Sequence, residues 1–177
     1  MYRIVLVYLC IGLIHIYKVK CDLIKRENKQ LDGKQCCYRT LGNKPEHPTA
    51  FTALSTFSSG LPNGPISFDK EIANVGNSYN PSTGKFTAPV SGLYSISVSI
   101  MGLHGNSIHV AIRKNGQELA RLWTHGEGRG EVASHTLNLP LKRGDQMWAS
   151  GSPGKKIYVG EPYNVFSGIL IASGKFN

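Results

Sequence analysis

Residues 80–100, NPSTGKFTAPVSGLYSISVSI, combine two turn signals with a strict alternation of apolar and small polar residues. The even positions of the second half are Tyr94, Ile96, Val98 and Ile100, and serines lie between them. Because successive side chains of a β-strand point to opposite faces, this alternation predicts a strand with the even positions buried and the serines outward. The Pro and Gly residues that precede it predict turns at its start.

The chain from residue 50 onward repeats this period of two and shows no helical spacing of useful length. Ile108, Val110 and Ile112 define one apolar face of a second strand. Asn115 and Gly116 follow it, and this dipeptide is the strongest short signal for a β-hairpin. The segment therefore predicts two antiparallel strands joined by a tight turn.

Two later segments complete the predicted sheets. Leu137, Leu139 and Leu141 alternate, and Pro140 among them predicts an edge or a bulge because proline cannot donate to a strand ladder. Residues 163–173, YNVFSGILIAS, are apolar on both faces, which predicts a strand buried between two layers. Several short strands separated by turns predict an all-β sandwich or jelly roll.

The N-terminal region differs in composition from the rest. Residues 1–21 have a basic start, an apolar run and a polar flank, which predict a secretory signal peptide with a run too short to span a bilayer. Residues 22–49 are polar and predict a short stalk before a domain at residues 50–177. Removal of the three basic residues of the signal lowers the formal net charge from +9 to +6, which favours anionic partners.

The stalk contains two adjacent cysteines, Cys36 and Cys37. Adjacent cysteines bond to each other only with strain, so in an oxidising compartment we expect them to form disulfides with another chain. The alternative is that one or both remain as free or capped thiols. The spacing leaves both possibilities open.

Eight positions match a known signature: Phe68, Asn74, Tyr79, Phe86, Gly92, Tyr94, Phe166 and Gly168. Their pattern resembles the C1q domain, the globular head of complement C1q, adiponectin and the cerebellins. Ile96 and Val98 stand where the family has aromatic residues. The resemblance implies a ten-stranded jelly roll, similar to tumour-necrosis-factor folds, that assembles as a homotrimer. Since the sequence has no Gly-x-y repeat, the layout is similar to that of the short secreted members without a collagen stem.

No enzyme motif is complete in the sequence, so we expect a non-enzymatic protein without a catalytic site. The basic residues do not alternate with aromatic ones as in a nucleic-acid site. Recognition residues on β scaffolds concentrate in loops. The candidate ligand-binding residues lie mainly at predicted turns and strand ends: Arg113, Arg129, Lys155, Lys156 and Tyr158.

Two other groups of residues suggest functions. Arg143, Gly144 and Asp145 form the tripeptide that integrins bind, although the resemblance already explains the last two as a turn. The histidines have no compact spacing for a metal site and leave a composite site across a trimer as an alternative; they are His104, His109, His125 and His135. Some members of the family hold calcium, so calcium is the one cofactor that the resemblance allows.

The sequence therefore predicts a secreted, homotrimeric recognition protein that binds anionic or carbohydrate surfaces, including microbial ones, in innate immunity. Three weak sites on one trimer gain avidity for a repetitive surface without any new contact. Two alternatives remain open. One is an extracellular matrix, shell or metal-binding protein, and the other is a signalling ligand similar to the cerebellins.

Overall fold

The computed structural model describes residues 48–56, 60–127 and 130–176, in which there are ten strands and no helix. No segment of this described part is a helix long and apolar enough to cross a bilayer. The strands are β1 (Ala50–Leu54), β2 (Lys70–Val75), β3 (Tyr79–Asn80), β4 (Lys85–Thr87), β5 (Gly92–Met101), β6 (Ile108–Lys114), β7 (Gln117–Thr124), β8 (Val132–Leu141), β9 (Gln146–Gly151) and β10 (Val165–Ser173).

The strands form two antiparallel sheets of five. The first sheet has the order β2-β1-β10-β5-β8, and the second has the order β3-β4-β9-β6-β7. Their inner faces enclose one apolar core, as in a jelly roll. The predicted all-β, ten-stranded architecture is confirmed.

The alternation in β5 is confirmed as well. Tyr94, Ile96, Val98 and Ile100 are each 0% exposed, whereas the intervening serines are half-buried on the outer face. Pro140 lies in β8, which is an edge strand of the first sheet, as its missing N–H requires.

A cluster of aromatic rings connects the two sheets. Phe51 of β1 stacks on Tyr79 and on Phe86, with ring centroids 5.0 Å apart in both pairs. Phe166 of β10 meets Phe51 edge-on at 4.8 Å. Because Phe51 and Phe166 come from the first sheet and Tyr79 and Phe86 from the second, these contacts fix the separation of the two sheets.

Hydrogen bonds from three of the signature residues order the strand connections. The Tyr79 hydroxyl accepts a bond from the Phe68 N–H and donates to the Phe68 carbonyl, at 3.1 Å in each case. The Asn74 amide donates to the Tyr79 carbonyl at 2.8 Å and accepts from the Tyr79 N–H at 3.2 Å. Burial is the main cause that raises the pKa of Tyr79 to about 12.

The two signature glycines lie where strands pack too closely for a side chain. A Cβ at Gly168 would be 2.5 Å from Phe51 Cε1 and 2.7 Å from Ile96 Cδ1. A Cβ at Gly92 would be 2.5 Å from Leu170 Cδ1. These separations are well below van der Waals contact, so a larger residue at either position would push the strands of the first sheet apart.

The prediction that the last strand is buried on both faces is wrong. β10 lies in the middle of the first sheet, but Ile169 and Ile171 on its outer side are 52% and 49% exposed. Only the inward set, which includes Phe166 and Leu170, is buried. In the described part of one chain, nothing packs on the outer face of this sheet, so its apolar residues meet solvent.

A β-bulge in the hairpin of β6 and β7 decides which side chains of β7 face outward. Arg113 pairs with Glu118, but the next pair is Ile112 with Ala120, so Leu119 is an extra residue. Beyond the bulge, Trp123 pairs with the outward His109 and is 54% exposed.

We expect Tyr79→Phe to destabilise the domain by about 1–3 kcal/mol, because it leaves the buried Phe68 N–H and carbonyl without their partner. Urea denaturation followed by circular dichroism measures this difference. Tyr163→Phe is the matched control, since Tyr163 is exposed. The tyrosine absorbance of the wild type should show one group ionising near pH 12 that Tyr79→Phe lacks. Equal stability of the two variants would contradict the role of Tyr79.

Candidate recognition surface

The loops of the sandwich are divided between two ends. The proximal end contains Pro48, the turns at residues 89–91, 115–116 and 142–145, and the segment 174–176; hydrogen bonds such as Gly174 N–H to the Ser91 carbonyl connect them. The distal end contains loops at residues 102–107, 125–127 and 152–164. Two hydrogen bonds connect these loops: the Gly105 N–H donates to the Gly126 carbonyl, and the Tyr158 N–H donates to the Met101 carbonyl. The seven residues of β6 separate the ends by about 20 Å.

The structure does not bring all of the predicted ligand-binding residues together. Lys155 and Lys156 are exposed in a turn at the distal end, and Tyr158 is half-buried in the loop that follows. Arg113 lies at the other end of β6, beside the hairpin turn. Arg129 lies outside the described residues, as do Cys36 and Cys37, so the predictions about these three remain predictions.

The guanidinium of Arg113 is used within the fold. It donates to Ser150 Oγ at 2.8 Å and to the Gly116 carbonyl at 3.0 Å, and it forms an ion pair with Glu118 at 3.3 Å. Arg121 binds the same carboxylate at 2.8 Å, and this hydrogen bond is the main cause that lowers the pKa of Glu118. Arg113 therefore holds the β6–β7 hairpin to β9, and its guanidinium is engaged within the fold.

Three aromatic side chains meet on the outer face of the second sheet, and we call them the aromatic cluster. Trp123 stacks on His109 with an interplanar angle of 16° and a centroid distance of 6.2 Å. His125 meets the indole at 64° and 5.3 Å. The indole N–H donates to Ser107 Oγ at 3.0 Å, which fixes the ring. The cluster thus offers a flat, exposed ring in a defined orientation, with imidazole nitrogens close by.

The cationic turn at residues 152–156 adjoins this cluster. The Ser152 N–H donates to the carbonyl of His109 at 3.2 Å, and the Lys155 N–H closes the turn onto the Ser152 carbonyl at 3.3 Å. Among the described residues, the ammonium groups of Lys155 and Lys156 have no ion pair. Together, the aromatic cluster and the two lysines form what we call the recognition surface.

Two tyrosines, one of them the candidate Tyr158, lie in the same distal loop. Tyr158 and Tyr163 have ring centroids 6.0 Å apart at an angle of 46°. Tyr163 is exposed, whereas Tyr158 is half-buried, so neither ring belongs to the core. These rings extend the aromatic character of the distal end.

The histidines do not assemble into a metal centre within the described part of the chain. No group of three or more His, Cys, Asp or Glu side chains is close enough there to hold an ion. His109 and His125 belong to the aromatic cluster, and His125 Nε2 lies 2.9 Å from a carboxylate oxygen of Glu127. Dependence on calcium or another metal therefore stays a prediction that titration must test.

Sequence reasoning missed Trp123, which is the centre of the recognition surface. If the hairpin continued from its two-residue turn at Asn115 and Gly116 without a bulge, Trp123 would pair with Ile108 and would lie on the inner face. The bulge at Leu119 moves it to the outer face. The available signal was that Trp123 and His125 are separated by one residue, which places both rings on one side of an extended chain.

The Arg143-Gly144-Asp145 turn uses its carboxylate within the fold. Asp145 accepts hydrogen bonds from the Asn115 side chain and from the Lys142 N–H, both at 2.9 Å, and pairs with Lys114 at 3.0 Å. Its side chain is 14% exposed. Partial burial acts to raise the pKa of Asp145, but these bonds outweigh it and hold the pKa below its usual range.

We expect Asp145→Asn to lower the free energy of unfolding at pH 7 by about 1–2 kcal/mol. Because the folded state has the lower pKa, this stabilisation is present above the unfolded value near 3.9 and is lost as the pH falls below it. Urea denaturation at pH 7 and at pH 3 measures both effects, with the exposed Glu161→Gln as control. The wild type and Asp145→Asn should converge at low pH, and a constant difference would contradict the carboxylate's role.

Comparisons with known proteins agree with this fold. A model of the C1q domain matches residues 50–171. Human complement C1q tumor necrosis factor-related protein 2 is 36% identical over 100 residues, which cover 56% of this chain and 35% of that protein. Human complement C1q tumor necrosis factor-related protein 3 is 30% identical over 134 residues, which cover 74% and 54%. The chain therefore spans about a third to a half of these curated relatives.

Solved structures show the same architecture. The globular domain of zebrafish complement 1qA superposes with a TM-score of 0.62 at 22% identity, covering 71% of this chain and 99% of that one. The Eiger TNF of S. frugiperda superposes with a TM-score of 0.59 at 15% identity, covering 74% and 97%. At these identities the likeness shows the fold alone.

Proposed function

The chain belongs to the C1q domain family, and from that premise we propose that it is a secreted, non-enzymatic recognition protein. In this proposal it binds carbohydrate or anionic surfaces, including microbial ones, as a homotrimer and serves innate immunity. The observation that supports ligand binding most directly is the exposed, hydrogen-bonded indole of Trp123 in a cluster that the turn of Lys155 and Lys156 contacts through the His109 carbonyl. Neither lysine has an ion pair among the described residues.

Each part of the recognition surface suits one feature of such a ligand. An indole face packs against the apolar face of a sugar ring, and its fixed orientation reduces the entropy lost on binding. The imidazoles of His109 and His125, which contact the indole, offer further hydrogen-bonding nitrogens, and Nε2 of His125 lies 2.9 Å from a carboxylate oxygen of Glu127. Lys155 and Lys156 supply positive charge for carboxylate, phosphate or sulfate groups on the same ligand.

The outer face of the first sheet supports self-association. Its central strands β1, β5 and β10 contain no charged residue, and we call their outward side the uncharged face. Ile169, Ile171 and Val75 are exposed on the first sheet, and Ser95, Ser97 and Ser99 lie beside them on β5. An apolar, uncharged surface of this kind marks a protein interface more often than a solvated face. The family resemblance implies a trimer, and in this proposal its three copies meet at the uncharged face.

The recognition surface and the uncharged face lie on opposite sheets. Trp123 and His109 point away from the second sheet, whereas Ile169 points away from the first. Assembly through the uncharged face therefore leaves the aromatic clusters available. Three copies of one weak site on a single particle give the avidity that a repetitive polysaccharide requires.

We expect Ile169→Glu to dissociate the trimer, because it places a carboxylate from each copy in an apolar interface where unpaired charge is strongly disfavoured. Analytical ultracentrifugation at micromolar concentration, under reducing conditions, should show a trimer for the wild type and a monomer for the variant. Lys156→Glu at the distal end is the control and should stay trimeric. A monomeric wild type, or a trimeric Ile169→Glu, would refute the proposed assembly.

We expect Trp123→Ala to weaken binding to a microbial polysaccharide by at least about tenfold, because it removes the stacking surface. A tenfold loss of affinity corresponds to about 1.4 kcal/mol of binding free energy. Lys155→Glu combined with Lys156→Glu should weaken binding to acidic polysaccharides only. An array of lipopolysaccharide, peptidoglycan and sialylated glycans, read with and without calcium, measures both. Trp148→Phe is the control, since Trp148 lies under Lys85 on a different strand. No wild-type binding in either condition would sink the proposal.

The alternatives inferred from the sequence separate in the same experiments. A trimer that binds no glycan would point to a signalling ligand, for which a cell-surface receptor must then be sought. Binding of zinc, copper or calcium in calorimetry would favour the metal-binding alternative, which has no cluster of ligating side chains in the described residues to support it.

A further inference from the structure

A second polar site lies at the proximal end, away from the recognition surface. A cleft of about 360 Å³ opens there between the start of β5, the end of β8 and the segment after β10. Four cationic side chains line it, namely Lys114, Lys142, Arg143 and Lys175, and Phe176 and Pro140 add apolar wall. We call it the cationic cleft.

The charges of the cationic cleft are poorly compensated. Lys114 pairs with Asp145 at 3.0 Å and donates to the Pro140 carbonyl at 3.2 Å. The side chains of Lys142, Arg143 and Lys175 have no ion pair or hydrogen bond among the described residues. Among the described residues, Asp145 is the only carboxylate in contact with these four cations. A net charge of +3 therefore remains in the cleft.

Backbone contacts hold the two cationic segments in place. Ser91 Oγ accepts a hydrogen bond from the Arg143 N–H at 3.1 Å, and the Ser91 carbonyl accepts one from the Gly174 N–H at 2.9 Å. Asp145 accepts from the Lys142 N–H and so fixes the same turn. One serine thus ties the 142–145 turn to the C-terminal segment, and the cations face the cleft from a preorganised backbone.

The chemistry of the cleft identifies the class of ligand. Three uncompensated cations spread along one cleft require several negative groups on one molecule, and a guanidinium binds sulfate-like oxyanions through two parallel hydrogen bonds. The volume is at the small end of ligand sites, which suits one or two sugar rings of a longer chain. Phe176, 41% exposed, offers a face for a sugar ring.

We propose that the cationic cleft binds a sulfated polysaccharide, independently of the recognition surface at the other end. Nucleic acid is the less suitable polyanion, because the cleft has one exposed aromatic ring and not the series that successive bases stack on. About 20 Å along β6 separates the two sites, so a polysaccharide bound at the proximal end leaves Trp123 accessible. This function does not rest on the one proposed for the recognition surface.

The test uses the full chain and dextran sulfate, with uncharged dextran as the matched probe. Isothermal calorimetry should show binding of dextran sulfate that weakens with added salt and is much tighter than any binding of dextran. Arg143→Glu with Lys175→Glu should weaken it at least 20-fold, and Arg143→Gln with Lys175→Gln should also weaken it, by a smaller factor. Lys70→Glu with Arg121→Glu has the same charge change at exposed positions outside both sites and should leave the affinity within about twofold.

Two further measurements separate the cleft from a general effect of charge. Phe176→Ala should weaken binding of dextran sulfate several-fold and leave binding of inorganic sulfate unchanged. Equal loss in the Arg143 and Lys175 variant and in the Lys70 and Arg121 variant would overturn the proposal, since net charge alone would then explain binding. Tighter binding of single-stranded DNA than of dextran sulfate, lost in the Arg143 and Lys175 variants, would reassign the cleft to nucleic acid and would also overturn it.

Discussion

The packing of Phe51 against rings from both sheets is the interaction on which the rest of the structure depends. Phe51 stacks on Tyr79 and Phe86 and meets Phe166 edge-on, so one side chain of β1 fixes the spacing of the sandwich. Gly168 allows this approach, because any side chain there would meet the Phe51 ring. The signature positions of the sequence are thus the parts of one interlocked core, and none of them contacts the proposed ligand.

Because this core is rigid, the loops at its two ends can carry different functional side chains. At the distal end, the cationic turn and the aromatic cluster share a hydrogen bond through His109. At the proximal end, Ser91 and Asp145 order a turn whose remaining cations have no partner among the described residues. The basic residues that appear scattered in the sequence are therefore sorted by the strands into two groups about 20 Å apart. A molecule with opposed sites can hold one anionic surface while it contacts another.

The apolar residues divide in a similar way between core and surface. Tyr94 and its neighbours at every second position of β5 are buried, as the alternation predicts. Ile169 and Ile171 have the same apolar character but lie on the outer side of the central strand β10. Their composition indicates burial, and the proposed trimer offers that burial between chains. The error about β10 therefore concerned what covers its outer side within one chain, and the apolar character of the strand was read correctly.

The sequence by itself determined the fold class and the hairpin at Asn115 and Gly116, and it limited Pro140 to an edge strand or a bulge. These features depend on local periodicity and on the backbone hydrogen bonds that each residue can donate. Only the tertiary structure decided the site. Leu119 shifts the register of β7 by one residue, and a shift of one exchanges the faces, so Trp123 is exposed beside His109. Such a bulge has no strong local signal, because its energy comes from the packing of Leu122 and its neighbours into the core.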